Sequence, residues 1–262
     1  MLEETLLELL KIDSVNPSQE RINELIDILS DKITLPYRYY KENGKFILFS
    51  NYNLLEDLSN KEVLMICNHF DTVSPNSENI YAIMKSEEDF GESYVLGRGS
   101  VDDKPNVAVM IDLLEEIKLA NKVIIYGITF DEEYGVQGSK EIVETLKEMK
   151  VKPDNVLLVE PTNMNPSCNC HGSMCSDLWN CINDQNENEI FLFKKLKEMN
   201  MGYSLPVTPP CEAGDYKELG SNVVICGPGY MNLCHSNDER IEISSLYEWK
   251  ERMKWLIENN LK

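Results

Sequence analysis

Apolar side chains recur at helical spacing over residues 2–11 and 18–31, with acids and amides between them, and both stretches read as amphipathic helices. Two strand-like runs follow, YRYYK from Tyr37 and KFILFSNY from Lys45, on either side of Glu42, Asn43 and Gly44. That turn-forming trio between β-prone segments predicts a hairpin. The pattern then alternates. Residues 61–68 (KEVLMICN) form a short apolar run typical of a buried strand, 105–119 a helix, 122–130 a strand, 136–149 a helix and 155–159 a third strand. Periodicity lapses over 163–188, which is rich in Asn, Cys, Ser and Met. It returns as a helix over 189–200, a proline-rich turn (PVTPP), a strand over 222–226 and a last helix over 244–260. Short apolar strands alternating with amphipathic helices predict an α/β fold, a mostly parallel sheet with helices on both faces. No repeat or interdomain linker interrupts it, so residues 1–262 are expected to form a single domain.

Charge narrows the range of partners. The chain carries 45 acidic against 25 basic residues, a net charge of -20. Such a field repels phosphate backbones and anionic bilayers, which argues against nucleic acid and membrane partners. The first residues mix acids with apolar side chains, unlike the basic start of a secretory signal, and no apolar run is long enough to span a bilayer. The eight cysteines are therefore read as reduced thiols in a cytoplasmic protein.

Ligands of open parallel sheets bind at the strand ends, and the residues with chemical potential fall there. In His69-Phe70-Asp71 the alternation of an extended chain puts both polar side chains on one side, where the carboxylate can fix the imidazole tautomer for metal binding. The same triplet also suits an ordinary surface or core histidine. In Gly97-Arg98-Gly99-Ser100-Val101-Asp102-Asp103-Lys104, either acid could simply cap the following helix, with Pro105 in its first turn. Asp131, Glu132 and Glu133 directly follow an apolar strand and repel one another unless cations or protons neutralise them. In such a group one carboxylate can coordinate a metal while its neighbour carries protons, although an exposed acidic loop has the same composition. Glu160-Pro161-Thr162 ends another apolar strand, and Cys234 to Glu239 follows the turn Gly227-Pro228-Gly229. Taken together, hard carboxylate oxygens and two imidazoles in strand-end loops are the donors expected for a pair of divalent ions, zinc or, alternatively, cobalt or manganese.

Six segments in order resemble the family of acetylornithine deacetylase and succinyl-diaminopimelate desuccinylase, metal-dependent amidohydrolases and peptidases. They are SVNP at Ser14, HFDTVSP at His69, GRGSVDDK at Gly97, FDEEYGVQGS at Phe130, VEPT at Val159 and GPGYMNLCHSNDE at Gly227. The resemblance implies a zinc-peptidase-like catalytic domain in which His69 and Glu160 hold one metal, Glu133 and His235 the other, and Asp102 bridges them. It further implies that Asp71 supports His69 and that Glu132 is the general base.

The chain also departs from that family. Its relatives insert a lid domain of roughly a hundred residues, the size of an ordinary small domain, between the Glu-Pro-Thr and final histidine motifs. Here 74 residues separate Glu160 from His235. The lid is therefore expected to be absent, replaced by the Cys/Asn-rich segment near 163–188, and with it the family's dimer contacts, oxyanion histidine and carboxylate-binding basic residue. A monomer, or a dimer made through different contacts, with a more open site follows. His171, the remaining histidine, is either an oxyanion or substrate contact or an exposed loop residue. Cys168, Cys170, Cys175 and Cys181, with His171 among them, could hold a structural zinc, but they lack paired Cys-x-x-Cys knuckles and the cysteines are read as reduced thiols instead. The expected activity is removal of an acyl group from a small N-acyl amino acid. Dipeptide or aminopeptide hydrolysis is the alternative, and metal binding without turnover a second.

Overall fold

The computed structural model describes residues 2–75, 83–86, 93–117, 122–167, 191–199 and 211–259. Helices α1 (Leu2–Leu10) and α2 (Gln19–Lys32) stand where apolar periodicity placed them. Ser18 caps α2, its side chain accepting the Arg21 amide at 3.3 Å and so satisfying one of the donors that a first helical turn leaves open. The hairpin forms from β1 (Tyr37–Tyr39) and β2 (Phe46–Ser50), with Asn43 in the left-handed region at its turn. The chain continues through β3 (Glu62–His69), β4 (Ile83–Ser86), β5 (Ser93–Leu96), α3 (Lys104–Glu116), β6 (Lys122–Thr129), α4 (Gln137–Met149) and β7 (Asn155–Leu158). It ends with α5 (Phe191–Met199), α6 (Ala213–Lys217), β8 (Asn222–Ile225), β9 (Arg240–Glu242) and α7 (Ile243–Glu258).

Six strands form the main sheet in the order β1-β2-β6-β3-β7-β8. The pairings β6–β3, β3–β7 and β7–β8 are parallel, and only the hairpin side is antiparallel. From β3 the chain passes through α3 to β6 on one side, then through α4 back across β3 to β7 on the other. Since parallel crossovers are right-handed, this reversal puts α3 and α4 on opposite faces of the sheet. Helices α1 and α7 pack with α3, and α6 packs with α4. Buried on both sides, β3 from Val63 to Cys67 and β6 from Val123 to Ile128 read as short apolar runs.

A second, three-stranded antiparallel sheet, β4-β5-β9, was not expected from the sequence, nor was the five-residue α6. These strands mix polar or charged residues into three or four positions, so they offer neither the apolar run that marks β7 and β8 nor a readable alternation. Pairing of Leu96 with Arg240 brings the segment after β5 against the segment before β9, a contact that shapes the site. No helix among the described residues is long and apolar enough to cross a membrane, and none of the described cysteines is in a disulfide. His171, Cys168, Cys170, Cys175, Cys181 and the PVTPP turn lie outside the described residues.

Candidate metal centre

Parallel register assembles the first half of the site. His69 pairs with Thr129 and Cys67 with Leu158, so two residues beyond Leu158 Glu160 comes level with His69, and Glu132 and Glu133 follow directly after β6. The next pairing, Leu158 with Ile225, brings Gly227 beside Glu160. A Cβ on Gly227 would lie 2.5 Å from the Glu160 carbonyl oxygen, so only glycine permits this approach. Gly229, at φ +83°, packs in the same way on Val101, the neighbour of Asp102.

The loops from β5 and β8 bring in Asp102 and His235, and the two oxygens of Asp102 face different imidazoles. His69 Nε2 lies 2.8 Å from Asp102 Oδ1, and His235 Nε2 lies 3.2 Å from Oδ2 and 2.9 Å from Glu133 Oε1. Atoms of His69, Asp102 and Glu160 lie within 4.8 Å of one another, as do atoms of Asp102, Glu133 and His235, so two donor triplets share one carboxylate. Two donors held by one tetrahedral zinc at about 2.0–2.1 Å lie roughly 3.3 Å apart, close to these spacings. Glu160 Oε1 is buried without a hydrogen-bond partner, an arrangement that otherwise costs the full desolvation of the atom. Carboxylate and imidazole donors, a two-faced Asp102 and an open lone pair on Glu160 together fit a pair of divalent cations.

The electrostatics belong to a crowded acidic pocket. Burial works against protonated His69, but the carboxylates of Asp102 and Asp71 outweigh it and hold the imidazole well above its usual range. Contacts with Asp102 and then Glu133 lift His235 to about 10. Burial also opposes ionisation of Asp102, yet the two imidazoles hold it well below the ordinary carboxylate value. Glu160 is pushed far up, first by burial and then by the charge of Glu132. Glu132 rises to about 8, mainly through burial, with Asp102, Glu133 and Asp71 adding to the shift and His69 opposing it.

The profile of peptidase family M20/M25/M40 matches residues 65–259, most of the chain. The chain belongs to this family. A succinyl-diaminopimelate desuccinylase of Pelagibacter ubique is 33% identical over 119 residues, which cover 43% of this chain and 31% of that protein. The chain thus matches less than a third of that relative's length. Among solved structures, a tripeptidase of Staphylococcus aureus aligns with a TM-score of 0.72 at 17% identity, covering 98% of each chain. An M20 family metallo-carboxypeptidase of Sulfolobus solfataricus aligns at 0.63 and 12% identity, again covering 98% of each. At these identities the likeness is one of fold.

Within this M20-type frame several side chains do work that the sequence left open or hid. Asp131, one of the three clustered acids, turns away from the centre: its carboxylate accepts the Gln137 and Gly138 amides at 3.0 and 2.9 Å and pairs with Lys45 at 3.1 Å, pinning the start of α4. Only Glu132 and Glu133 remain for chemistry. Asp71 supports His69 less through its carboxylate, at 3.5 Å, than through its backbone carbonyl, which faces Nδ1 at 3.0 Å. The Asp71 carboxylate instead accepts the Glu132 and Glu133 amides at 3.1 and 3.0 Å, fixing that turn. Helix capping does not explain the Asp102-Asp103 pair, because Asp103 is the N-cap residue yet makes no side-chain cap bond and instead accepts from the side-chain Nδ2 of Asn106. Glu212 is a further buried acid, held up by burial and the charge of Glu132. Nothing in its local sequence, Cys211-Glu212-Ala213, signalled burial beside the site. Glu239 likewise stood in a recognised motif without an evident task.

Proposed function

We propose that this chain is a two-metal amide hydrolase that removes an acyl group from a small N-acyl amino acid. The carrying observation is that the two oxygens of Asp102 face separate histidines, each completing a donor triplet, with Glu132 beside them. His69, Asp102 and Glu160 would hold one ion and Asp102, Glu133 and His235 the other, with zinc the best match to these donors. When bound, such ions polarise the scissile carbonyl and acidify the attacking water. Glu132 accepts the proton of that water and delivers it to the departing amine. Burial and neighbouring carboxylates raise it in the metal-free chain, and beside bound cations it would return toward the ionised form that a base requires. Asp71 holds the backbone from which Glu132 and Glu133 project, and its carbonyl sets the His69 ring so that Nε2 points inward. The match to a desuccinylase supports an acylated amino acid as substrate. We place the reaction in a single lidless domain acting as a monomer in the cytoplasm. The 74 residues between Glu160 and His235 support the absence of an inserted lid, since they already supply α5, α6 and β8.

The test is an assay of metal-loaded protein against N-acetylornithine, N-succinyl-diaminopimelate and a dipeptide panel, with Glu132→Ala beside it. Hydrolysis of an acyl-amino acid is expected, falling about 10²–10⁴-fold in the variant, the usual contribution of a general base. Preference for dipeptides would move the assignment to a peptidase. Equal rates in both proteins would refute the role of Glu132, and bound metal without any turnover would make the chain a binding protein.

A further inference from the structure

Glu239 lies four residues beyond His235 and one before β9, and the loop that carries Asp102 folds onto it. Its backbone carbonyl accepts the Gly97 amide at 3.0 Å and the Ser100 hydroxyl at 2.9 Å. Its Oε1 accepts the amides of Val101 and Asp102 at 3.0 and 3.2 Å, while Oε2 meets the Arg98 guanidinium. Both Glu239 and Arg98 are buried, at 1% and 8% exposure.

We infer that Glu239, neutralised by Arg98, is a positioning residue that sets the placement of Asp102 relative to His235 and so determines whether one carboxylate can serve two ions. This rests on the two-ion reading of the site. The simpler alternative is that the pair only glues β5 to β9. That ladder, however, already runs from Tyr94–Glu242 through Val95–Ile241 to Leu96–Arg240 without help from side-chain charge. A buried ion pair is also a weak source of net stability. What the carboxylate adds lies elsewhere: Oε1 binds the amide of Asp102 itself, and the same residue is tethered by four peptide links to His235. Losing the charge on Glu239 leaves Arg98 buried without a counter-ion, so the loop must shift to hydrate it, and Asp102 moves with the loop.

The experiment uses Co²⁺ as probe, titrated into the metal-free chain and followed by calorimetry, visible absorption and the magnetic coupling between neighbouring ions. The wild type is expected to take up two coupled ions. Glu239→Gln should bind Co²⁺ about 10–100-fold more weakly, the usual effect of removing an outer-shell partner, and lose the coupling. Arg98→Ala should do the same, and Arg98→Lys, which keeps the charge, should recover most of the loss. Lys250→Met serves as control. It breaks a partly buried ion pair with Asp112 and Glu116, at 2.7 and 2.6 Å, on helices away from the site, and should lower the melting temperature without changing Co²⁺ affinity. If Glu239→Gln melts lower but binds and couples Co²⁺ like the wild type, or if Arg98→Lys is no better than Arg98→Ala, the positioning role is overturned. Wild-type protein that takes up fewer than two ions would instead overturn the two-ion reading on which it rests.

Discussion

His69 and Glu160 stand at the ends of adjacent parallel strands and are 1% and 4% exposed, whereas His235 stands on a loop with half of its side chain in solvent. The first pair is placed by the backbone ladder, since the register that pairs Cys67 with Leu158 leaves no freedom in where His69 meets Glu160. His235 has φ +62° and reaches the site only because Gly227 and Gly229 let its loop press against Glu160 and Val101. The comparison teaches that one donor triplet is part of the core and the other is hung upon it, with Asp102 as the common member. The two should therefore differ in affinity, in exchange and in what their loss does to the fold.

Asp102→Ala gives the largest expected effect. It removes the shared carboxylate, so the protein should retain neither ion after gel filtration under conditions that saturate the wild type, as read by elemental analysis. Tight retention of one ion would show that the halves are independent and break the comparison. The next effect separates the two histidines. His69→Ala leaves buried carboxylates without their cation and should destabilise the metal-free protein by about 3 kcal/mol in denaturant unfolding, the scale for breaking a buried pair. His235→Ala also removes a cation from Asp102 and Glu133, but with half of the ring already in solvent, water can reach the carboxylates it leaves, so the loss should be smaller than for His69→Ala while uptake of one ion still weakens. Equal destabilisation would contradict the core-and-appendage picture.

Proton release is the smallest and most general effect. In the metal-free chain His69, Glu160 and His235 all hold their protons to higher pH than usual, and coordination requires the deprotonated forms. The metal-bound state carries fewer protons than the free one, so affinity should rise with pH through the neutral range and fall in acid. Calorimetric titration in buffers of different ionisation enthalpy measures the protons released, and pH-independent uptake would refute the linkage.

Apolar periodicity along the chain was enough to place α1, α2, α4, α7 and the four parallel strands to within a residue or two, because long amphipathic or fully buried segments write their environment into local composition. It also determined which residues lie at strand ends, and hence the candidate donors His69, Glu133 and Glu160. Other features needed the folded chain. Strands β4, β5 and β9 mix polar residues into short stretches that show no apolar run, and their pairing is visible only in three dimensions. Nothing local distinguishes Asp131, spent on the start of α4, from Glu132 and Glu133 beside it. The link between Glu239 and Arg98 joins residues 141 positions apart. Sequence alone thus determined the chemical character of the site and the strands that carry half of it. Tertiary structure decided which acids face inward and how Asp102 addresses two histidines, because those outcomes depend on contacts between loops whose separation along the chain leaves no local trace.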